Sequence, residues 1–165
     1  MTVPSWSASL LPQLEHHFRW LSKATQGIGV EQACFQLAPG RPSIAWLLGH
    51  LTAGADSVAE AVAGTGPALA PDFLARHGSP HWAVDGTDAW NNLRDQWTLV
   101  SERTRRGLNS LQAGDLELEP AIEVLPEFAE QLSTRHAFLA GEIFHFAYHL
   151  GQIGTLRAAQ DLGWS

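Results

Sequence analysis

The sequence predicts an all-α protein in which four long helices form a bundle. Four stretches of about 18 to 27 residues repeat apolar side chains every three or four positions, which is the period of an amphipathic helix. No stretch shows the alternation typical of a strand, and no repeat of fixed period is visible. Each helix must bury its apolar face, and a bundle buries the apolar faces of all four helices against one another. We expect residues 1–165 to form a single domain.

The first two helices are defined by their apolar faces and by the residues that flank them. The first spans about residues 7–25 and ends before Gly27. The second begins after Ser43, a residue type that caps helix N-termini, and continues to about Gly64. Between Gly64 and Gly86 glycine and proline are frequent, which predicts an irregular connection with a short turn over residues 72–76.

The third and fourth helices follow this connection. Thr87 is the predicted cap of the third helix, whose apolar face extends to about Leu111. A short helix is possible over residues 127–132, and Ser133 or Thr134 begins the last helix, which runs to about Gln160. The connection between helices two and three is longer than antiparallel neighbours usually need, so a crossover along the bundle is expected.

The charge of the chain argues against a nucleic-acid partner. Ten Lys and Arg against seventeen Asp and Glu give a net charge of -7, whereas phosphate binding requires a basic surface. The one basic cluster is Arg103, Arg105 and Arg106, which we interpret as a solvated helix face, with phosphate binding as the alternative.

The composition also indicates the cellular compartment in which we expect the protein. The apolar runs are shorter than the ~20 residues that a membrane-spanning helix needs, and the first residues do not resemble a signal peptide. Cys34 is the single cysteine, so no intramolecular disulfide is possible. We interpret Cys34 as a small buried side chain rather than a reactive thiol. We therefore expect a cytoplasmic protein without a membrane partner.

A polar line on the last helix is the main functional signal. Glu142, His145, His149 and Gln152 follow one another at intervals of three, four and three on an otherwise apolar helix. Buried polar groups need partners. A metal bound by His145 and His149, with Glu142 and Gln152 orienting the imidazoles, would partner all four groups. The alternative is a pair of core histidines satisfied by hydrogen bonds.

A third ligand is expected from a neighbouring helix, and His50 is the natural candidate because it lies within an apolar run. Three histidines and one open position are what a catalytic metal requires. His17 could support the site or supply a fourth ligand, which would close it. Alone, His50 also fits a hydrogen-bonded core residue, and a metal-free bundle with three core histidines stays open.

Other patterns are weaker or exclude known metal sites. The zinc-protease signature is absent because Phe146 follows His145. A di-iron bundle needs a second Glu-x-x-His, so a mononuclear site is favoured.

His77 and His81 are separated by helix breakers and are assigned to a loop. Arg157 is interpreted as a surface ion pair, with contact to an anionic substrate as the alternative.

Three segments resemble the DinB/YfiT-like superfamily. They are residues 43–51 (SIAWLLGHL), residues 145–153 (HFAYHLGQI) and residues 13–17 (QLEHH). The resemblance extends over nearly the whole chain and implies a four-helix bundle with up-down-down-up topology. It also implies that His50, His145 and His149 bind a divalent ion, with nickel or zinc favoured over manganese or iron. Relatives form dimers, which implies a homodimer.

The activity implied by the resemblance is less uniform. Relatives include transferases and isomerases that use mycothiol or bacillithiol, and others are considered metal-dependent hydrolases or damage-inducible proteins. We therefore expect a metal-dependent enzyme whose ion activates a low-molecular-weight thiol or water for attack on a small-molecule substrate. Glu142 is also a candidate general base.

A second hypothesis is a non-catalytic bundle of the stress response that binds a metal or small ligand. The chain has seven tryptophans, and Trp46, Trp90 and Trp97 could line an apolar pocket or a dimer face instead of packing in the core. Whether the metal site keeps an open position distinguishes the two hypotheses.

Overall fold

The structure is a computed structural model that describes residues 9–77 and 82–163. Within these ranges it contains helices and no strand, so the predicted all-α class is confirmed. The six α-helices are α1 (Leu11–Thr25), α2 (Val30–Cys34), α3 (Ile44–Ala61), α4 (Pro71–His77), α5 (Gly86–Asn109) and α6 (Arg135–Ala158). Two short 3-10 helices, Ala113–Glu117 and Pro126–Phe128, lie between α5 and α6.

The ends of the long helices agree closely with the sequence. The Ser43 side chain accepts a hydrogen bond from the backbone N–H of Trp46 at 3.1 Å and caps α3. The Thr134 hydroxyl accepts from the backbone N–H of Ala137 at 3.1 Å and caps α6. Helix α5 begins one residue before the predicted cap, with Asp85 at its N-cap. Local capping chemistry therefore defines most of these boundaries.

The two short α-helices differ in how well the sequence predicted them. Helix α4 coincides with the turn expected over residues 72–76. Helix α2 was not predicted, because five residues are too few to show a period; the Gln32 side chain accepts from the backbone N–H of Gly29 at 2.9 Å and stabilises its first turn. The region 127–132 forms a 3-10 turn and bends instead of a regular helix. His81 lies outside the described residues.

Helix α3 lies at the centre of the packing and brings the predicted histidines together. It contacts α2, α4, α5 and α6, while α1 packs against α6. An aromatic cluster joins three of the long helices, with ring centroids 5.0 Å apart for Phe18 and Trp97 and 5.3 Å apart for Phe18 and Phe146. Because α3 and α6 are direct neighbours, His50 faces the two histidines of α6.

The tryptophans named as pocket candidates are core residues. Trp46, Trp90 and Trp97 are all buried. The indole N–H of Trp90 donates to the backbone oxygen of Ile28 at 3.0 Å, and that of Trp97 donates to the Ser22 hydroxyl at 2.9 Å. Core packing, the simpler interpretation, accounts for Trp90 and Trp97. Cys34 is half-buried, with its sulfur 3.8 Å from the backbone oxygen of Val84.

A buried ion pair attaches the long connection after α3 to the bundle. The Asp56 carboxylate is buried and accepts hydrogen bonds from the backbone N–H groups of Ala68 at 3.0 Å and Leu69 at 2.9 Å. Its second oxygen pairs with the Arg103 guanidinium at 2.8 Å. Both oxygens of this carboxylate therefore accept hydrogen bonds, which offsets the cost of burying the charge.

Two predictions about arginines were wrong. Arg103 is not part of a solvated face, because it pairs with Asp56 and donates to the backbone oxygen of Gly66. Arg105 pairs with Glu15 at 2.9 Å. Arg157 is buried and donates to the backbone oxygen of Ala24 at 2.7 Å, so it connects α6 to the end of α1 and does not lie on the surface.

Among the helices described, none has the length and apolar character that crossing a bilayer would require.

Candidate metal centre

Three histidines from two helices converge between α3 and α6. His50 projects from α3, and His145 and His149 project from adjacent turns of α6, as their spacing predicts. One ring nitrogen of each lies within 4.8 Å of the others, and the Nε2 atoms of His50 and His145 are 2.9 Å apart. His149 is buried and the other two are half-buried. The structure therefore brings together all three residues that the sequence proposed as ligands.

The two histidines of α6 are held by side chains on the same helix. The Nδ1 atom of His145 donates to Glu142 Oε2 at 3.0 Å. The Nδ1 atom of His149 donates to Gln152 Oε1 at 2.6 Å, and Gln152 Nε2 in turn donates to the Tyr148 hydroxyl at 3.3 Å. These are the orienting contacts expected for Glu142 and Gln152, and Tyr148 extends the second one.

His50 has a partner that the sequence did not reveal. The backbone of His77, at the end of α4, lies close enough to the imidazole of His50 to raise its pKa. The two imidazoles of α6 are each held by an acceptor, a carboxylate for His145 and an amide oxygen for His149.

Burial favours the neutral form of His50 and of His149. The pKa of His50 is lowered to about 4, mainly by burial and further by the neighbouring His145 and His149, while the nearby backbone of His77 opposes the shift. Burial also lowers the pKa of His149, and its hydrogen bond to Gln152 opposes that shift. Neutral imidazole is the form that binds a metal, so at neutral pH these two side chains need lose no proton to bind one.

The hydrogen bonds test whether this donor set fits a metal. Because the Nδ1 atoms of His145 and His149 donate to Glu142 and Gln152, the Nε2 atom of each ring is the nitrogen available to bind a metal. The Nε2 atom of His145 faces that of His50 at 2.9 Å. Nitrogen ligands at about 2.0 to 2.1 Å from a tetrahedral ion lie about 3.3 Å apart. The cluster therefore fits a divalent ion such as zinc or nickel.

Trp46 forms one wall of the cluster. Its ring stacks on the imidazole of His50 with centroids 4.7 Å apart and an interplanar angle of 11°. It also meets His149 edge-on at 6.4 Å. The indole Nε1 is buried and has no hydrogen-bond partner within the described part of the chain. The Trp46 ring thus shields one face of the His50 imidazole from water. Its indole N–H is a hydrogen-bond donor that lies in the apolar surroundings of the site.

Two glycines of α3 provide the space that the site requires. A Cβ atom at Gly54 would lie 2.9 Å from Glu142 Oε2 and 3.7 Å from His145 Nδ1. A Cβ atom at Gly49 would lie 1.9 Å from the imidazole of His77. Glycine within a helix lowers the stability of the helix by about 1 kcal/mol relative to alanine. In α3 the missing side chains at these two positions allow a carboxylate and an imidazole to approach the helix backbone.

His17 is not part of the cluster. It packs against His16 with ring centroids 6.0 Å apart, and burial lowers its pKa. It lines a shallow groove of about 230 Å³ with Trp20 and Leu150. Among the described His, Cys, Asp and Glu residues, only His50, His145 and His149 form a group of three or more with ligand geometry. Of the two roles considered for His17, that of a fourth ligand is therefore not supported, because His17 does not join the three-histidine group.

Comparisons with known proteins agree with this architecture. A family model described as DinB superfamily matches residues 13–153, a range that includes all three histidines. The crystal structure of a conserved protein from Enterococcus faecalis is similar, with 16% identity and a TM-score of 0.69. The match covers 94% of this chain and 96% of that chain, and at this identity it indicates a shared fold alone. No curated protein matches the chain.

Proposed function

The chain belongs to the DinB superfamily, and from this premise we propose that it is an enzyme that depends on a divalent metal ion held by His50, His145 and His149. The favoured ions are nickel and zinc, because neutral imidazoles suit both. The proposed reaction is the transfer of a low-molecular-weight thiol, or hydrolysis, at a small-molecule substrate.

One observation carries the proposal. His50, His145 and His149 come from two helices and place one ring nitrogen each within 4.8 Å of one another. His145 and His149 donate their other ring nitrogens to Glu142 and Gln152, as metal-binding histidines do to their partners.

When bound at such a site, a divalent ion lowers the pKa of a coordinated water to about 7 or deprotonates a thiol, which supplies a nucleophile at neutral pH. The residues of this chain supply position and environment. Glu142 keeps the His145 proton on Nδ1, and Gln152 does the same for His149. Because Glu142 is engaged with His145, we assign it an orienting role ahead of the general-base role.

Thiol transfer and hydrolysis differ only in what occupies the open position. We favour thiol transfer, with bacillithiol or mycothiol as co-substrate, on the resemblance to characterised members of the superfamily. The second candidate is a non-catalytic bundle that binds a metal or small ligand in a stress response. The Trp46 Nε1 atom is buried and has no hydrogen-bond partner among the residues that the structure describes, which favours a bound ligand in either case.

Metal analysis of untagged protein tests the proposal. We expect close to one nickel or zinc per chain in the wild type and almost none in a His145→Ala, His149→Ala double variant. The matched control is His16→Ala, His136→Ala, which removes two histidines outside the cluster and should keep the metal. A wild type that binds no added nickel or zinc, while both variants fold, would contradict the proposal.

A second assay separates the enzyme from the binding protein. Metal-loaded protein is incubated with a thiol and an aromatic electrophile such as chlorodinitrobenzene, and separately with a nitrophenyl ester. Metal-dependent turnover of the first indicates transferase chemistry and turnover of the second indicates hydrolysis. Stoichiometric metal without turnover of a wide range of electrophiles and esters supports the non-catalytic alternative.

Three further features remain proposals. The four long helices follow an up-down-down-up order, which is supported by the long connection between α3 and α5. The chain forms one domain, supported by a family match that covers residues 13–153. It acts as a homodimer, supported by the resemblance to dimeric relatives.

A further inference from the structure

We propose that a groove beside the metal centre binds a small molecule that has both a carboxylate and an apolar body. The groove, here called the Arg41 groove, has a volume of about 280 Å³ and lies between α6 and the segment that precedes α3. Its lining includes Leu37, Arg41, Pro42, Gln152, Thr155 and Leu156. This inference rests on the proposed function, since it names the class of substrate for the same site.

The shape and surface of the groove suit a small apolar body. Its volume is close to the lower end of the range for ligand pockets, about 300 Å³. Leu37 is exposed although it is a large apolar side chain, and it forms a wall of the groove with Pro42 and Leu156. Covering this surface with the apolar part of a ligand removes it from water, which favours binding.

The charge of the groove suits an anion. Among the described residues, the Arg41 guanidinium has no hydrogen bond or ion pair, although the chain carries a net charge of -7. None of the described residues that line the groove is acidic. Helix α3 begins at Ile44, three residues after Arg41, so the positive end of its dipole lies close by. A planar guanidinium binds a carboxylate through two parallel hydrogen bonds.

The segment that presents Arg41 has a defined conformation. The Arg41 backbone N–H donates to the backbone oxygen of Ala38 at 3.1 Å, and the Gln36 side chain donates to the backbone oxygen of Arg41 at 2.6 Å. These bonds form a turn that fixes the backbone at Arg41. Little backbone ordering is then needed when a ligand binds.

Gln152 connects the groove to the metal centre. Its side chain lines the groove, and its Oε1 atom accepts the hydrogen bond from His149 Nδ1 at 2.6 Å. A molecule held in the Arg41 groove therefore lies one side chain away from a proposed metal ligand. We infer that the carboxylate is bound by Arg41 and that the reactive part of the molecule points towards the cluster.

The test uses cinnamate as the probe and cinnamamide as its uncharged counterpart. Each is titrated into ¹⁵N-labelled metal-free protein and zinc-loaded protein, and binding is followed by NMR chemical shifts. We expect cinnamate to bind about tenfold more tightly than cinnamamide, with shifts at the Gln152 side chain and around Arg41. Arg41→Gln should remove this preference, whereas Arg19→Gln, the same change at an exposed position of α1, should preserve it.

A second variant tests the groove itself. Thr155→Phe places a ring in the groove from an exposed position of α6 and should weaken both probes at least about tenfold. Equal binding of cinnamate and cinnamamide, wild-type binding by Arg41→Gln, or shifts elsewhere would each overturn the proposal. Because the metal-free protein is also titrated, failure of the groove is distinguishable from failure of zinc to bind.

Discussion

The Nε2 atoms of His50 and His145 lie 2.9 Å apart, although the two residues are 95 positions apart in the chain. His50 belongs to α3 and His145 to α6, two helices in direct contact. The Glu142 carboxylate accepts from Nδ1 on the outer side of the His145 ring, which leaves Nε2 of His145 facing His50.

Replacing Glu142 should weaken metal binding without removing a ligand. Glu142→Gln keeps the size of the side chain but loses the charge that holds the proton on His145 Nδ1. Changes to partners of metal-binding histidines typically reduce affinity about 10- to 100-fold. The zinc affinity is measured by competition with a chelator, and Glu102→Gln, at an exposed position of α5, is the control. Equal affinities for the two variants would show that the Glu142 contact is not needed.

Replacing Gly54 with alanine should lower the zinc affinity while changing the stability of the fold little. A Cβ atom at this position lies 2.9 Å from Glu142 Oε2, so Gly54→Ala should displace the carboxylate and lower zinc affinity. Alanine is favoured over glycine within a helix by about 1 kcal/mol, which offsets the steric cost. Gly151→Ala is the matched control, because a Cβ there meets no atom within 4 Å. Both variants are compared by thermal unfolding and zinc titration, and loss of affinity in both would contradict this role of Gly54.

The metal-free protein should become less stable as pH falls from about 6.5 to about 4. The pKa of His50 is lowered from 6.5 to about 4 in the folded protein, so within this range the unfolded chain binds more protons than the folded chain. The free energy of unfolding therefore decreases as pH falls, by at most about 1.4 kcal/mol per pH unit for one such group.

Urea denaturation at several pH values measures this dependence. His50→Gln should show a shallower decrease than the wild type, whereas His136→Gln, which lies outside the cluster, should show the same decrease. A wild type whose stability is constant or rises between pH 6.5 and pH 4 would be incompatible with a buried neutral His50.

Two ion pairs should differ sharply in their contribution to stability. Asp56 is buried against Arg103, so Asp56→Asn leaves a partly buried arginine without its partner and should cost about 3 kcal/mol. The pair between Asp72 and Arg76 is exposed, with side-chain exposures of 70% and 51%. Asp72→Asn should change the free energy of unfolding by less than about 0.5 kcal/mol. Similar losses in the two variants, measured by urea denaturation, would contradict this distinction.

Much of the helical structure could be predicted from the sequence because it depends on local signals. Ser43 and Thr134 act as caps in the way that their positions indicate. The long helices have enough turns for the apolar period to be recognised. Helix α2 has only five residues, so its apolar side chains do not complete a period and it was missed.

The candidate site was predictable to the extent that it depends on side chains within one helix. The spacing of Glu142, His145, His149 and Gln152 implies the contacts that the structure contains. The approach of the His77 backbone to His50 gives no such signal, because every residue type has the same backbone. The buried position of Arg157 was also not predictable, since its partner Ala24 accepts through its backbone.

The surroundings of His50 fix its side chain before any ligand arrives. Trp46 stacks on one face of the ring, and the absence of a side chain at Gly49 lets the ring of His77 lie against α3 next to it. Such enclosure leaves the His50 side chain few alternative rotamers. Most of the conformational entropy of this side chain is therefore lost when the chain folds, and a ligand that later binds to its inner nitrogen need not pay that cost again.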